Sequence, residues 1–136
     1  MKRRDLWIFL GLDIFAIAWA GAMFSVLESK LVAGALAGGY FVISGLAMLV
    51  MANRWPDKWK SVTWYVLFLH VFGVSIPMLT SRFAQMTVTF DEVRIFGISG
   101  PVFHQISSLV FGLLMAATAI DLLRGWRAAN DATHTS

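Results

Sequence analysis

Four long apolar blocks, separated by short polar segments, make up most of this chain. An α-helix needs roughly 20 residues to cross the hydrocarbon core of a bilayer, and each block is long enough to do so. We expect the spans at residues 6–27, 31–52, 62–80 and 102–123. The pattern predicts an all-α integral membrane protein, a four-helix transmembrane bundle in a single domain over residues 1–127. Residues 128–136 are polar and are expected to form a disordered cytoplasmic tail.

Composition agrees with this class of protein. Of the 136 residues, 58% are hydrophobic and only 14% are charged, whereas soluble domains carry about 25% charged residues. The absence of cysteine excludes disulfides, thiolate metal sites and covalent c-type haem attachment. The net charge of +3 arises at the ends of the spans, where cations set topology and contact anionic lipid; it does not indicate nucleic-acid binding.

The first apolar block also has some features of a signal peptide. Lys2, Arg3 and Arg4 precede it, and small residues around Ala20 resemble a cleavage site. Its length and the aspartate within it, Asp13, favour a membrane span instead.

The distribution of cations predicts the orientation of the spans. One set lies in the N-terminus, the second loop and the C-terminal segment: Lys2, Arg3, Arg4, Arg54, Lys58, Lys60, Arg124 and Arg127. The other two loops hold only Lys30, Arg82 and Arg94. Since positively charged loops stay inside, both termini are expected in the cytoplasm, with the chain in the inner, cytoplasmic membrane of the cell. Five of the six tryptophans also lie near that face, as in an interfacial aromatic belt.

The loop between the third and fourth spans has strand-like composition. Residues 87–90 and 93–96 are rich in β-branched and aromatic side chains and flank Asp91 and Glu92. This predicts a short extracytoplasmic β-hairpin centred on the two acidic residues. Because an isolated hairpin is marginal in water, it should lie on the bundle or on a partner.

Small residues are concentrated in the second span. Gly34, Gly38, Gly39 and Gly45 are among those that would let another helix approach closely. The neighbour could belong to a second copy of the chain or to the same bundle. We favour packing within the bundle, since helices with so few polar groups must pack by shape.

Two ionisable residues lie within the spans at similar predicted depth. Asp13 should lie roughly 10 Å and His70 roughly 13 Å from the cytoplasmic ends of their helices. An Asp13–His70 pair would satisfy both groups and could accept a proton or a cation, because intramembrane ionisable groups are often functional. The alternative is a histidine that donates to a helix carbonyl and a neutral aspartic acid near the water boundary.

Pro77 follows His70 on the third span and cannot donate a helix hydrogen bond. It is expected to free the carbonyl of Gly73 and to kink the helix. His70, Gly73 and Pro77 share one face, which could line a cavity, but a plain kink is the simpler interpretation.

A polar stripe follows the fourth span, formed by His104, Ser107, Thr118 and Asp121. It could line a path or bridge helices by hydrogen bonds. Asp121 and Arg124 should also form a helix-end pair. His104 lies roughly 15 Å from His70 along the helix direction, too far for both to hold one haem. Haem or quinone held by His70 with another ligand is left open.

Searches for catalytic motifs find neither a nucleophile elbow, nor a phosphate-binding glycine loop, nor a zinc-protease signature. We therefore expect a non-enzymatic accessory or packing subunit of a membrane complex, without metal or cofactor. The alternative is a small homo-oligomeric transporter or channel with a proton- or cation-responsive Asp13/His70 site. Expected partners are anionic lipid at the cytoplasmic face and further copies or subunits.

Overall fold

Four long helices account for most of the chain in a computed structural model that describes residues 3–135. They cover Arg3–Val26, Lys30–Asn53, Val62–Ala84 and Gly100–His134, here called the first to fourth helices. Each is long and apolar enough to cross a membrane. The predicted all-α architecture with four candidate spans is confirmed, and its helices extend one to several residues beyond most of the predicted ends.

The first two helices run antiparallel, as polar contacts between them demonstrate. Nε1 of Trp19 donates to the carbonyl of Leu36 over 3.2 Å. One turn or two towards the other end of the pair, the Tyr40 hydroxyl donates to the carbonyl of Leu12 over 3.0 Å. Both aromatic side chains, which are half-buried, thus satisfy their polar tips on the backbone of the facing helix.

One end of the bundle, here called the basic end, gathers both ends of the chain and the second loop. Nε1 of Trp55 donates a buried hydrogen bond of 2.9 Å to Asp5 Oδ2, which joins the second loop to the start of the first helix. Seven of the described cations belong to this end: Arg3, Arg4, Arg54, Lys58, Lys60, Arg124 and Arg127. The opposite end, here called the hairpin end, carries Lys30, Arg82 and Arg94.

Two groups of buried side chains form the core. The larger lies towards the basic end and contains Leu6, Phe9, Met48, Ala52, Trp55, Leu67, Val71, Leu114 and Leu122. The smaller lies at the hairpin end and contains Val74, Val93, Ile95, Phe103 and Val110. All four helices contribute to the first group, so the bundle is closed around one interior.

The hairpin in the third loop lies closer to the fourth helix than the sequence pattern predicts. Its strands are Arg94–Ile95 and Ile98–Ser99, paired antiparallel. The turn is Phe96 and Gly97, with φ of 53° and 77°. A two-residue type I′ turn needs positive φ at both positions, and glycine supplies this without strain. The predicted turn at Asp91 and Glu92 is therefore wrong, and these residues form a short 3₁₀ turn, Phe90–Glu92.

The hairpin packs on the bundle, one of the two supports that an isolated hairpin requires. Val93 and Ile95 are fully buried among apolar residues of the third and fourth helices. The amide of Gly100 donates to the carbonyl of Val93 over 2.9 Å. A Cβ at Gly100 would run into the carbonyl oxygen of Phe90, so only glycine permits this close approach.

A glutamine side chain extends the small sheet. Nε2 of Gln85 donates to the Arg94 carbonyl over 2.8 Å, and Oε1 of Gln85 accepts from the Arg94 amide over 2.9 Å. Arg82 Nη1 donates to the carbonyl of Val88 over 2.9 Å. These bonds tie the loop to the end of the third helix, so it is ordered by more than apolar packing.

The fourth helix continues well past the predicted span. It ends at His134 and so extends about 20 Å beyond Asp121. The segment predicted to be a disordered tail is helical through His134, and its side chains are exposed except for that of Asn130, which is half-buried. Alanines in this segment have high helix propensity, and no glycine or proline follows Gly125 to end the helix.

Candidate functional site

The third helix changes its winding around His70. It is α-helical over Val62–Phe68, π-helical over Leu69–Ser75 and α-helical again over Ile76–Ala84. At the end of the π segment the amide of Ile76 donates to the carbonyl of Val71, five residues back. Such wide turns are rare in proteins, and those that occur are often found at functional sites.

Pro77 occupies the second position of the α segment that follows. In the first turn of a helical segment a missing N–H is tolerated, because that amide has no partner within the segment. The structure therefore accommodates Pro77 with a widened turn before it, where the sequence predicts a plain kink. The effect is to change which side chains of the third helix face the interior.

The π segment brings His70 and Ser75 together. In a regular α-helix, side chains five positions apart point about 140° away from each other. Here Nε2 of His70 lies 3.2 Å from Oγ of Ser75, and both side chains are buried. The direction of this hydrogen bond depends on the tautomer of the imidazole. Nδ1 of His70 has no hydrogen-bond partner among the described residues.

Aromatic rings surround the imidazole of His70. The ring centroids of Phe41 and Phe111 lie 6.0 Å and 5.8 Å from it, and 5.3 Å from each other. The second helix can approach because position 45 is glycine: a Cβ there would lie 2.8 Å from Cγ2 of Val71. The histidine is thus 3% exposed in an apolar cage, with one nitrogen bonded and one free.

Asp13 also has an unsatisfied polar atom in the interior, as do Thr63, Trp64 and Asp121 among the described residues. The side chain of Asp13 is 1% exposed, and Oδ2 has no hydrogen-bond partner within residues 3–135. Within residues 3–135, Asp13 and His70 form neither a hydrogen bond nor an ion pair. Oδ2 of Asp13 and Nδ1 of His70 have no partner, and Nε2 of His70 is bonded to Ser75. The predicted direct pair is therefore not formed, and Asp13 and His70 are separate polar groups, each with one buried atom that lacks a partner. Buried polar atoms without partners are uncommon and costly.

The predicted polar stripe of the fourth helix separates into parts with different environments. His104 is exposed, and its ring lies 6.5 Å from that of Phe90. Ser107 and Thr118 donate to carbonyls of their own helix, each over 2.8 Å. Of these four residues, Asp121 is the one whose side chain has a hydrogen bond to another helix within residues 3–135.

Asp121 caps the third helix from outside. Its Oδ2 accepts from Oγ of Ser61 over 2.8 Å and from the amide of Thr63 over 3.0 Å. Ser61 is the N-cap and accepts from the amide of Trp64 over 3.1 Å. The predicted pair with Arg124 exists at 4.0 Å, but the shorter contacts to the third helix were not predicted. A serine directly before an apolar block signals the start of the third helix, but it does not indicate that Asp121 is its partner.

The small residues of the second helix have different surroundings. A Cβ at Gly38 would lie 3.0 Å from Leu79, so Gly38, like Gly45, permits close packing within the bundle. A Cβ at Gly34 would lie 3.9 Å from Phe24, and one at Gly39 would meet nothing within 4 Å. Packing within the bundle therefore explains Gly38 and Gly45 but not Gly39.

Two concave regions lie on the outside of the bundle. A lateral groove of about 320 Å³ runs between the second and third helices, lined by Leu46, Leu49, Val50, Trp64, Phe68 and Phe72. A cleft of about 440 Å³ lies at the basic end, lined by the charged residues Arg3, Asp57, Lys60, Asp121 and Arg124. Within residues 3–135, no three histidine or acidic side chains gather to hold a metal ion.

Comparison with known proteins does not assign this chain to a group. No protein-family model, no curated protein and no solved structure matches it. Antiparallel four-helix bundles serve many functions, so the fold alone does not identify an activity.

Proposed function

We propose that this chain is a four-span protein of the cytoplasmic membrane that serves as a non-enzymatic accessory or packing subunit of a larger membrane complex. The exposure of large apolar side chains on the outside of the bundle supports a lipid environment. Large apolar residues such as Ile14, Ile43 and Leu109 are 60%, 72% and 66% exposed, while Asp13 and Asp121 are buried. A soluble protein rarely exposes apolar patches of more than a few hundred Å².

The charges support an orientation with both termini in the cytoplasm. The basic end carries seven of the described cations and the hairpin end carries three. Positively charged segments are retained on the cytoplasmic side of a membrane. The basic end also carries the exposed side chains of Trp59 and Trp126. Tryptophan is enriched at the membrane interface, where its ring lies among headgroups.

The lateral groove is the observation that carries the accessory role. It is an apolar depression on an outward face, with Asn53 at its polar margin. Most polar groups of the interior, by contrast, hold the fold together: Asp5 binds Trp55, and Asp121 binds Ser61. A subunit that acts by packing needs an outward surface of this kind and no reactive group, because helices associate in membranes by shape.

Purification in a mild detergent, followed by native mass measurement, tests this role. We expect the chain to co-purify with a partner. Val50→Trp should fill the groove and reduce the amount of partner retained, since Val50 is 54% exposed and a larger side chain leaves the core intact. Ile17→Trp is the matched control at 55% exposure outside the groove. A clean monomer from the wild-type chain would contradict the proposal.

The unsatisfied atoms of Asp13 and His70 favour a second candidate, a small homo-oligomeric transporter or channel with a proton- or cation-responsive site. Ionisable groups inside a membrane bundle mark ion pathways and proton relays. Flux should be measured in proteoliposomes across pH for Asp13→Asn and His70→Ala, with Asp91→Asn in the exposed loop as control. Flux that depends on both interior residues supports this candidate, and unchanged flux in both variants removes them from any transport mechanism.

A further inference from the structure

We propose that the cleft at the basic end is a binding site for the phosphate of an anionic phospholipid headgroup. This inference rests on the membrane location proposed above and assigns a ligand to one part of the cytoplasmic surface. The cleft has a volume of about 440 Å³, within the range of ordinary ligand pockets. It is lined by three separate segments of the chain: the start of the first helix, the second loop and the fourth helix.

Three cations converge on the cleft, one from each segment: Arg3, Lys60 and Arg124. Guanidinium groups match phosphate oxygens in a two-pronged geometry, and a lysine adds a flexible point charge. Basic pockets between helices on the cytoplasmic side of membrane proteins bind lipid headgroups. The convergence of separate cations distinguishes this cleft from a single basic loop.

The two carboxylates of the cleft, Asp121 and Asp57, have different standing. Asp121 is fully buried, and its Oδ2 is held by Ser61 and by the start of the third helix. Its negative charge is therefore partly offset by the partial positive charge at that helix N-terminus. Arg124 also offsets it, since Nη1 of Arg124 lies 4.0 Å from Oδ1 of Asp121, and the exposed Arg124 side chain shares its charge between this carboxylate and the cleft. Asp57 lies on the wall with Lys60 and opposes an anion. With three cations and two carboxylates, the lining of the cleft carries one net positive charge.

Apolar and small residues complete the lining. Gly125 and Ala128 leave room beside the fourth helix, while Leu6 and Leu122 lie beneath the cleft and are only 2% and 8% exposed. In the proposed membrane location, the anionic headgroups of the cytoplasmic leaflet lie beside this cleft. That proximity favours a headgroup over soluble phosphate as the natural ligand.

The test is a titration of the purified chain in detergent with three probes: short-chain phosphatidylglycerol, short-chain phosphatidylcholine and inorganic phosphate. Binding is read by native mass spectrometry. We expect the wild-type chain to retain phosphatidylglycerol in preference to phosphatidylcholine. The double variant Lys60→Gln/Arg124→Gln should lose roughly tenfold or more in this preference, as expected when two cations near an anionic headgroup are removed.

Lys58→Gln/Arg127→Gln is the matched control, because it removes the same charge from the same loop and the same helix. Lys58 lies over the rings of Trp59 and Trp64, and neither Lys58 nor Arg127 lines the cleft. The control should retain the wild-type preference. An equal loss of the preference for phosphatidylglycerol in both double variants would show that general surface charge attracts the lipid, and it would overturn the proposed site.

The remaining outcomes also decide the matter. Equally tight, Lys60- and Arg124-dependent binding of inorganic phosphate would support phosphate recognition but assign the site to a soluble ligand. Indifference to all three probes would overturn the proposal. Circular dichroism of each variant verifies that the helices are intact. The assay needs no partner subunit, so a failure of the accessory role leaves its result interpretable.

Discussion

Oδ2 of Asp121, in the fourth helix, accepts a hydrogen bond of 2.8 Å from Oγ of Ser61, the N-cap of the third helix. The same oxygen accepts from the amide of Thr63 over 3.0 Å. One carboxylate therefore fixes the start of one helix against the side of another. It also sets the register at which the third and fourth helices pack.

Asp121→Ala should lower the free energy of unfolding by about 2–3 kcal/mol. The variant leaves the Thr63 amide and the Ser61 hydroxyl buried without their acceptor, and each unsatisfied group costs about 1–3 kcal/mol. Loss of a cap alone costs about 1 kcal/mol. Denaturant unfolding in detergent measures the change. Asp131→Ala, at an exposed position of the same helix, is the control, and an equal effect of the two substitutions would refute the capping role.

Gly45→Ala should destabilise the bundle by about 1–3 kcal/mol, because the added methyl group would lie 2.8 Å from Val71 in a packed core. Gly39→Ala should be neutral or slightly stabilising, since nothing lies within 4 Å of its Cβ position and alanine is the better helix former. Unfolding measurements on both variants test this contrast. Gly45→Ala/Val71→Ala should be less unstable than the sum of its single variants, and strict additivity would exclude the contact.

The Phe96 and Gly97 turn should respond in opposite directions to two substitutions. Phe96→Asn should slow local opening of the hairpin, because asparagine tolerates positive φ and Phe96 is 75% exposed. Gly97→Ala should accelerate opening by straining a residue with φ of 77°. Hydrogen exchange at the Ile95 and Ile98 amides reports the change. Identical exchange in both variants would argue against a type I′ turn.

Asp13→Leu should raise the free energy of unfolding by about 1–3 kcal/mol. The substitution replaces a carboxyl group whose Oδ2 is buried without a partner by an apolar side chain of similar size. Ile14→Leu, which faces outward, should change stability little. A gain in stability indicates that Asp13 is retained for a purpose other than folding, since natural proteins accept such costs at functional sites. A loss of stability would instead identify a structural partner for Asp13.

The sequence predicts the fold better than the site, for physical reasons. Apolar blocks of spanning length identify the four helices, because the bilayer thickness fixes the length of a span. The π segment is different: its i to i+5 bonds leave no distinct hydrophobic period, so the contact between His70 and Ser75 cannot be read from spacing. The partner of Asp121 depends on the register of two helices distant in sequence. The position of the hairpin depends on the turn chemistry of Phe96 and Gly97, which strand propensity alone does not reveal.

The natural absence of cysteine makes the insertion of four spans with both termini in the cytoplasm directly testable. Single cysteines at Glu92 in the third loop and Thr135 at the C-terminal end are exposed and should not disturb the fold. Spheroplasts are treated with a membrane-impermeant maleimide, before and after permeabilisation. We predict that Glu92→Cys reacts in intact spheroplasts and that Thr135→Cys reacts only after permeabilisation. Labelling of Thr135→Cys in intact spheroplasts with protection of Glu92→Cys would contradict the orientation, and equal labelling of both would contradict the four-span arrangement.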